Sequence, residues 1–351
     1  MFGIKRFAVP VATCVALGAV VIAGCGSNDD SGGGGSGTAK PAATSSAPVK
    51  LKFGLTSVNM LYAPYVVGQA EGIFKKNGLD LSIVLTKDAA TAETAVASKS
   101  TPIGAITTDA IAIAHQAQPD VAIMLPVVNG TPYSLVTNSK IAAPKDLHGK
   151  ALAASGLKTA DGGIIVSMLD HYGLKVSKDY SLLIAGDPAA RTQSLLNGKS
   201  MGLATPEPQL SLLRAKGFKE LIRAADVPGL ANRPFNMIAT TKSWAQENPQ
   251  AVVNFEKAWL QSVQFMYDPA NKDAVIAALA KELQTDPKVM TQAYQDWMVD
   301  QKVYSTSCDV PAPSLQAVIA ANQASGNLSG TPPTPESLTL GGDYCSKASA
   351  G

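Results

Sequence analysis

From residue 49 onward, short apolar runs alternate with longer helix-patterned stretches. Residues 49–55 read as a strand and 64–76 as a helix. Pro64 suits a first helical turn and Gly78 the position just past the end. Residues 79–85 form a second strand, 91–98 a helix, 102–106 a short buried strand, 109–117 a helix and 121–128 another apolar strand. Strands that alternate with helices imply right-handed βαβ units and a mostly parallel sheet with helices on its faces.

The pattern then starts afresh. After a strand at 133–137 and a turn at 144–147 come strands at 151–154, 181–185, 201–204 and 220–224. Helices at 162–172, 189–196 and 207–216 are interleaved with them. A strand at 237–240 is placed to carry the chain back, and the remainder reads as helical over 247–267, 272–283, 288–299 and 314–324. The expected architecture is α/β and two-lobed. Residues 50–135 with 240–345 build lobe I, and residues 136–239 build lobe II. Two hinge crossings are expected near Tyr133–Asn138 and Phe235–Thr241. A cleft between lobes joined in this way suits closure around a ligand.

The N-terminus carries a separate signal. Lys5 and Arg6 precede an apolar run over residues 7–23 that is short for a membrane span and has the flanks of a signal peptide. The run ends in Val21-Ile22-Ala23-Gly24-Cys25, which resembles a bacterial lipobox. By that resemblance residues 1–24 are a signal peptide and Cys25 is the lipidated first residue of the mature chain. The alternative is an ordinary signal peptide in which Cys25 is incidental. Residues 25–49 are mostly Gly, Ser, Ala, Thr and Pro, include Gly32-Gly33-Gly34-Gly35, and read as a flexible tether.

Without Lys5 and Arg6 the chain has 27 basic and 27 acidic residues, so the basic excess of a nucleic-acid-binding surface is missing. Of the four Cys, Cys14 lies in the signal segment and Cys25 at the lipid position. Cys308 and Cys345 remain. In an oxidising exterior compartment they read as one disulfide closing the Pro-rich C-terminal segment. A metal pair is the alternative, but no His is near in sequence and there is no CxxC. His115, His148 and His171 are scattered and read as surface or capping residues.

Three segments carry a family resemblance. The first runs from Ala63-Pro64-Tyr65 through Ala70-Glu71-Gly72-Ile73-Phe74-Lys75-Lys76-Asn77-Gly78-Leu79-Asp80. The second is Asp146-Leu147-His148-Gly149-Lys150. The third is Leu196-Asn197-Gly198-Lys199 leading into Ala204-Thr205-Pro206-Glu207-Pro208. Together they resemble the periplasmic binding-protein type 2 fold. The group in question includes nitrate-, taurine- and sulfonate-binding proteins and binders of thiamine-pyrimidine precursors. The resemblance covers about residues 50–300. Met201-Gly202 stand where the family often has Asp-Ala, a local departure from its pattern. The resemblance implies an extracytoplasmic, lipid-anchored monomer that binds a small molecule, works with an ABC permease and its ATPase, and needs no cofactor; the alternative is a ligand-sensing surface lipoprotein not coupled to transport. Pyrimidine-synthase relatives share the fold and use His and Cys with iron. Here there is no paired His spacing, and no GxSxG, HExxH or P-loop, so an enzyme is the lesser reading.

In doubly wound sheets ligands sit beyond the carboxyl ends of strands, against helix N-termini. That rule selects Thr56, Ser57, Asn59 and Tyr62 after the first strand, Thr108 and Asp109 after the third, Ser155 and Thr159 after the strand at 151–154, and Thr205 and Glu207 after the strand at 201–204. Each hydroxyl or Asp is equally suited to capping a helix. Tyr62 and Met60 suit a ligand or the core, and Glu207 a ligand or a helix dipole. Gly162-Gly163 allow close backbone approach. Asn232-Arg233 reach either the cleft mouth or solvent. Lys158 is the one cation in these loops. The expected ligand is therefore organic with an apolar part, pyrimidine-like or sulfonate-like, and not a small inorganic anion.

Overall fold

The computed structural model describes residues 47–87, 89–157 and 159–350. The signal segment, Cys25, nearly all of the tether and Lys158 lie outside the described residues.

Ten strands form two five-stranded sheets. The first contains β1 (Val49–Leu55), β2 (Leu79–Leu85), β3 (Ile103–Thr107), β4 (Val121–Pro126) and β10 (Asn236–Thr241), in the order β2-β1-β3-β10-β4. The second contains β5 (Ser134–Thr137), β6 (Ala151–Ala154), β7 (Ser181–Ile184), β8 (Gly202–Thr205) and β9 (Lys219–Arg223), in the order β7-β6-β8-β5-β9. Pairing is parallel except along β10 in the first sheet and β5 in the second. Those are the two strands next to the crossings between sheets, so each runs against its neighbours.

Strand pattern follows burial. β4 and β10 are buried along their whole length, as expected of strands covered on both faces. In the second sheet the two faces separate residue by residue. Leu135, Leu152 and Ala204 point into one core, and Val136, Ala153 and Leu203 into the other. The first sheet likewise divides two cores, one built on Phe53, Phe74, Phe255 and Trp259 and one on Ile106, Ile123, Met237 and Leu315. The helix Pro249–Tyr267 supplies Phe255 and Trp259, whose rings stack with centroids 6.0 Å apart.

The single helix expected over 64–76 is two, Ala63–Ala70 and Ile73–Lys76. Gly72 between them has φ of 67°, a left-handed conformation that ends the first helix. The helix expected from Glu207 starts at Gln209, because Glu207 precedes Pro208 and the residue before a proline is pushed out of the helical conformation.

The crossings occupy residues 127–133 and 232–235, a few residues ahead of the positions expected from sequence, and they touch. Thr131 Oγ1 donates to the Arg233 carbonyl at 3.2 Å, and the Tyr133 and Phe235 rings lie 5.1 Å apart. Phe235 packs against a core of each sheet. A third tie has no counterpart in the sequence expectations. Arg214, on the helix Gln209–Ala215 of the second sheet, bridges Glu220 and Asp296. Asp296 sits in a π-helical turn, Gln295–Asp300, at the end of the C-terminal helices that cover the first sheet.

The C-terminal segment returns to the first sheet. Thr339 bridges to Ile123 of β4, and Leu340 N donates to the Ile123 carbonyl at 2.8 Å. Cys308 and Cys345 stand at disulfide distance, with Cα atoms 5.6 Å apart.

Candidate functional site

Between the sheets lies a cavity of about 610 Å³, within the range of small-molecule sites. Its wall comes from strand ends. Thr56, Ser57, Asn59, Leu61 and Tyr62 follow β1, and Thr107 ends β3. Pro188, Ala189 and Arg191 to Gln193 follow β7, Thr205 ends β8, and Pro206 to Gln209 come directly after it. Tyr133 and Phe235 come from the crossings, and Asn236 opens β10.

Local chemistry holds each wall segment. The Asn59 side-chain oxygen accepts from Leu61 N at 2.9 Å and its amide donates to Ser57 Oγ at 2.9 Å, so Asn59 shapes the short turn that presents Tyr62. Tyr62 is buried, and its hydroxyl accepts from Asn236 Nδ2 at 2.6 Å. Burial pushes the Tyr62 hydroxyl well above its ordinary pKa, and pushes that of Tyr133 up to about 12, so both remain neutral donors. Glu207 is buried, and its carboxylate oxygens accept from Ser211 N at 3.0 Å and Ser211 Oγ at 2.9 Å. Burial, then a hydrogen bond with Asp296, raises the Glu207 carboxyl well above the usual carboxylate range.

Six of the ten sequence candidates meet at this cavity: Thr56, Ser57, Asn59, Tyr62, Thr205 and Glu207. The other four are engaged elsewhere. Thr108 is fully buried and donates to the Phe235 carbonyl, while its neighbour Thr107 lines the cavity and caps the helix Thr108–Ala114. Asp109 pairs with Arg233 and accepts from Asn322 at 2.6 Å. Ser155 N and Thr159 Oγ1 each donate to Asp161 at 2.8 Å. Asp161 in turn holds Arg191 at 2.5 Å, and Arg191 does line the cavity.

Arg191 was missed in the sequence. It lies on the helix Pro188–Leu196, directly after β7. The same strand-end rule that selected the other loops would have found it, had it been applied after the strand at 181–185. Among the described residues it is the one cation in the cavity wall.

Gly162 also has a different reason from close approach to a ligand. A Cβ there would lie 1.9 Å from the Gly156 carbonyl oxygen. Gly162→Ala should therefore push residues 155–159 off the helix start and misplace Asp161. A loss of about 1–3 kcal/mol is expected from such overpacking. Thermal denaturation measures it, and an unchanged melting temperature would refute this account of Gly162.

The sequence model of the family described as NMT1/THI5 like matches residues 59–272, more than half of the chain. The chain belongs to that family. YtlA of Bacillus subtilis (strain 168), which is named as a binding protein, is 22% identical over 269 residues, or 74% of this chain and 78% of its own. The alkanesulfonate-binding protein SsuA from Xanthomonas axonopodis pv. citri, solved with MOPS bound, superposes with a TM-score of 0.65 at 17% identity. The match covers 83% of this chain and 98% of that one. The desulfurization enzyme DSZB superposes at 0.61 with 13% identity, over 86% and 99%. The fold is therefore the two-lobed α/β fold of periplasmic binding proteins, and it also carries enzymes.

Proposed function

We propose that this protein is an extracytoplasmic capture protein of an ABC importer. It takes one small organic molecule into the cavity between its two lobes and presents it to a permease driven by an ATPase. Lipid on Cys25 would hold it at the outer face of the cell membrane, with residues 25–49 as the tether. The observation that carries the reading is the cavity itself. Strand-end loops of both sheets converge on it, so a ligand there touches both lobes and favours their closed arrangement by its differential affinity. Thr56, Ser57, Asn59, Tyr62, Thr205 and Glu207 are the proposed contacts from the sequence set, joined by Arg191, Asn236 and Tyr133.

Binding without chemistry is favoured by the state of the site. Its carboxyl, Glu207, is held by Asp296 and by Ser211, a buried hydroxyl that does not line the cavity and so is not presented to a ligand. Titration calorimetry with small organic molecules should give one site per chain, and the recovered ligand should have unchanged mass. A chemically altered ligand would overturn this in favour of an enzyme. For the anchor, Cys25→Ala should move the protein from the membrane fraction to the medium or periplasm. Retention at the membrane would remove Cys25 from the account.

A further inference from the structure

Outside residues 1–24 the chain carries 27 basic and 27 acidic residues, yet the basic ones gather at one edge of the second sheet. The carboxyl ends of β7 and β8 face the cavity, so the starts of β6, β7, β8 and β9 lie at the opposite pole. Eight exposed lysines stand at that pole. Lys140, Lys145 and Lys150 lie between β5 and β6, and Lys175 and Lys178 precede β7. Lys199 precedes β8, Lys216 precedes β9, and Lys219 opens β9. Backbone bonds knit these connections into one rim. Asn138 N donates to the Met201 carbonyl at 2.9 Å, Met201 N to the Ala151 carbonyl at 2.8 Å, and Ser181 N to the Lys150 carbonyl at 3.0 Å.

The carboxylates of this pole are engaged elsewhere. Asp146 accepts from Ala142 N and Ala143 N, both at 2.9 Å, and Glu220 is held by Arg214. Asp179 accepts from Lys175 N at 2.8 Å and faces His148. Asp170 pairs with Lys175 at 3.1 Å, and among the described residues the other seven lysines have no carboxylate partner. Adjacent strands are about 4.8 Å apart, so lysines at neighbouring strand starts lie within a screening length of about 10 Å and act as one charged surface. The kind of cation selects the partner. Protein interfaces favour arginine and are poor in lysine, and paired recognition of one phosphate or carboxylate also uses arginine. Lysines acting as separate point charges suit a diffuse anionic plane. Tyr172, 47% exposed at the same pole, has the amphipathic ring that settles at headgroup level.

We infer that the lysine rim at the starts of β6 to β9 is a docking surface for anionic phospholipid headgroups, and that it seats the second lobe on a bilayer with the cavity turned away from the headgroups. The anchor proposed at Cys25 would keep a bilayer within reach of the rim. The rim lies at the far end of the lobe from the cavity, so its role is independent of which ligand the cavity takes.

The test is vesicle co-sedimentation of the full chain carrying Cys25→Ala, which removes the proposed lipid. Binding to phosphatidylcholine vesicles with about 30% phosphatidylglycerol should exceed binding to phosphatidylcholine alone by at least about 50-fold at low salt. Raising the salt to about 0.5 M should remove most of that excess. Adding Lys140→Glu, Lys145→Glu, Lys178→Glu and Lys199→Glu together should abolish the excess and leave the melting temperature unchanged. Equal binding to the two kinds of vesicle overturns the inference, as does undiminished binding by the charge-reversed protein. Retention on immobilised polyglutamate without binding to either vesicle overturns it in favour of an acidic protein partner. If the charge-reversed protein does not fold, the first protein's preference between the vesicles and its salt dependence decide alone. No outcome here touches the capture reading, which the calorimetry above tests separately.

Discussion

Raising the pH from about 5 to about 9 is expected to lower the melting temperature, and Glu256→Gln is expected to remove a large share of that drop. Glu256 lies on the inner face of the helix Pro249–Tyr267, 1% exposed, with Oε2 unpartnered. Burial, reinforced by the nearby Asp309 carboxylate, pushes its carboxyl up to about 8 from an ordinary 4.5. The folded state therefore keeps its proton through a range where the unfolded chain has already released it. Stability falls with rising pH between those two values and is level above the higher one. The loss from this one group is roughly 4–5 kcal/mol, or about 8 °C in a chain of this size. Glu207 and Glu93 are shifted upward by burial too, so some slope should survive in the variant. Identical slopes in the two proteins would show that Glu256 ionises normally.

Breaking the link between Cys308 and Cys345 should cost nearly as much. The two residues are 37 apart in sequence, and freeing a loop of that length in the unfolded chain is worth about 4 kcal/mol. The segment they close returns to β4 through Leu340 and contains the helix Ala312–Ala324, which packs Leu315, Val318 and Ile319 on the first sheet. Cys345→Ser, or reduction of the unaltered protein, should lower the melting temperature by roughly 6–8 °C. Ligand affinity should stay the same, since none of these residues lines the cavity. Two freely titrating thiols in the purified protein, with no change on reduction, would refute the pairing.

The repeated strand–helix pattern was legible because burial on both sheet faces leaves unbroken apolar runs such as Val121 to Pro126. The strand-end rule located the cavity loops, and it selected Thr56, Tyr62, Thr205 and Glu207. It did not say which hydroxyl in a loop turns inward. Thr107 and Thr108 are adjacent, yet one lines the cavity and the other bonds to the return crossing. That choice depends on where residues 232–235 pass, which no local pattern encodes. Ser155 and Thr159 were drawn to the right region for a different task, since they fix Asp161, which fixes Arg191. The Arg214–Asp296 tie joins positions 82 apart on different lobes, so it too left no mark in the local sequence.

The central claim is that the space between the sheets holds a small molecule. Native mass spectrometry of the protein purified gently from its own cells, beside Ser57→Trp, tests this most directly. Ser57 is an exposed wall residue, so a tryptophan there fills the cavity without entering either core. The account predicts one retained small molecule per chain in the unaltered protein and none in the variant. No retained molecule in the unaltered protein, or equal retention by both, would contradict it.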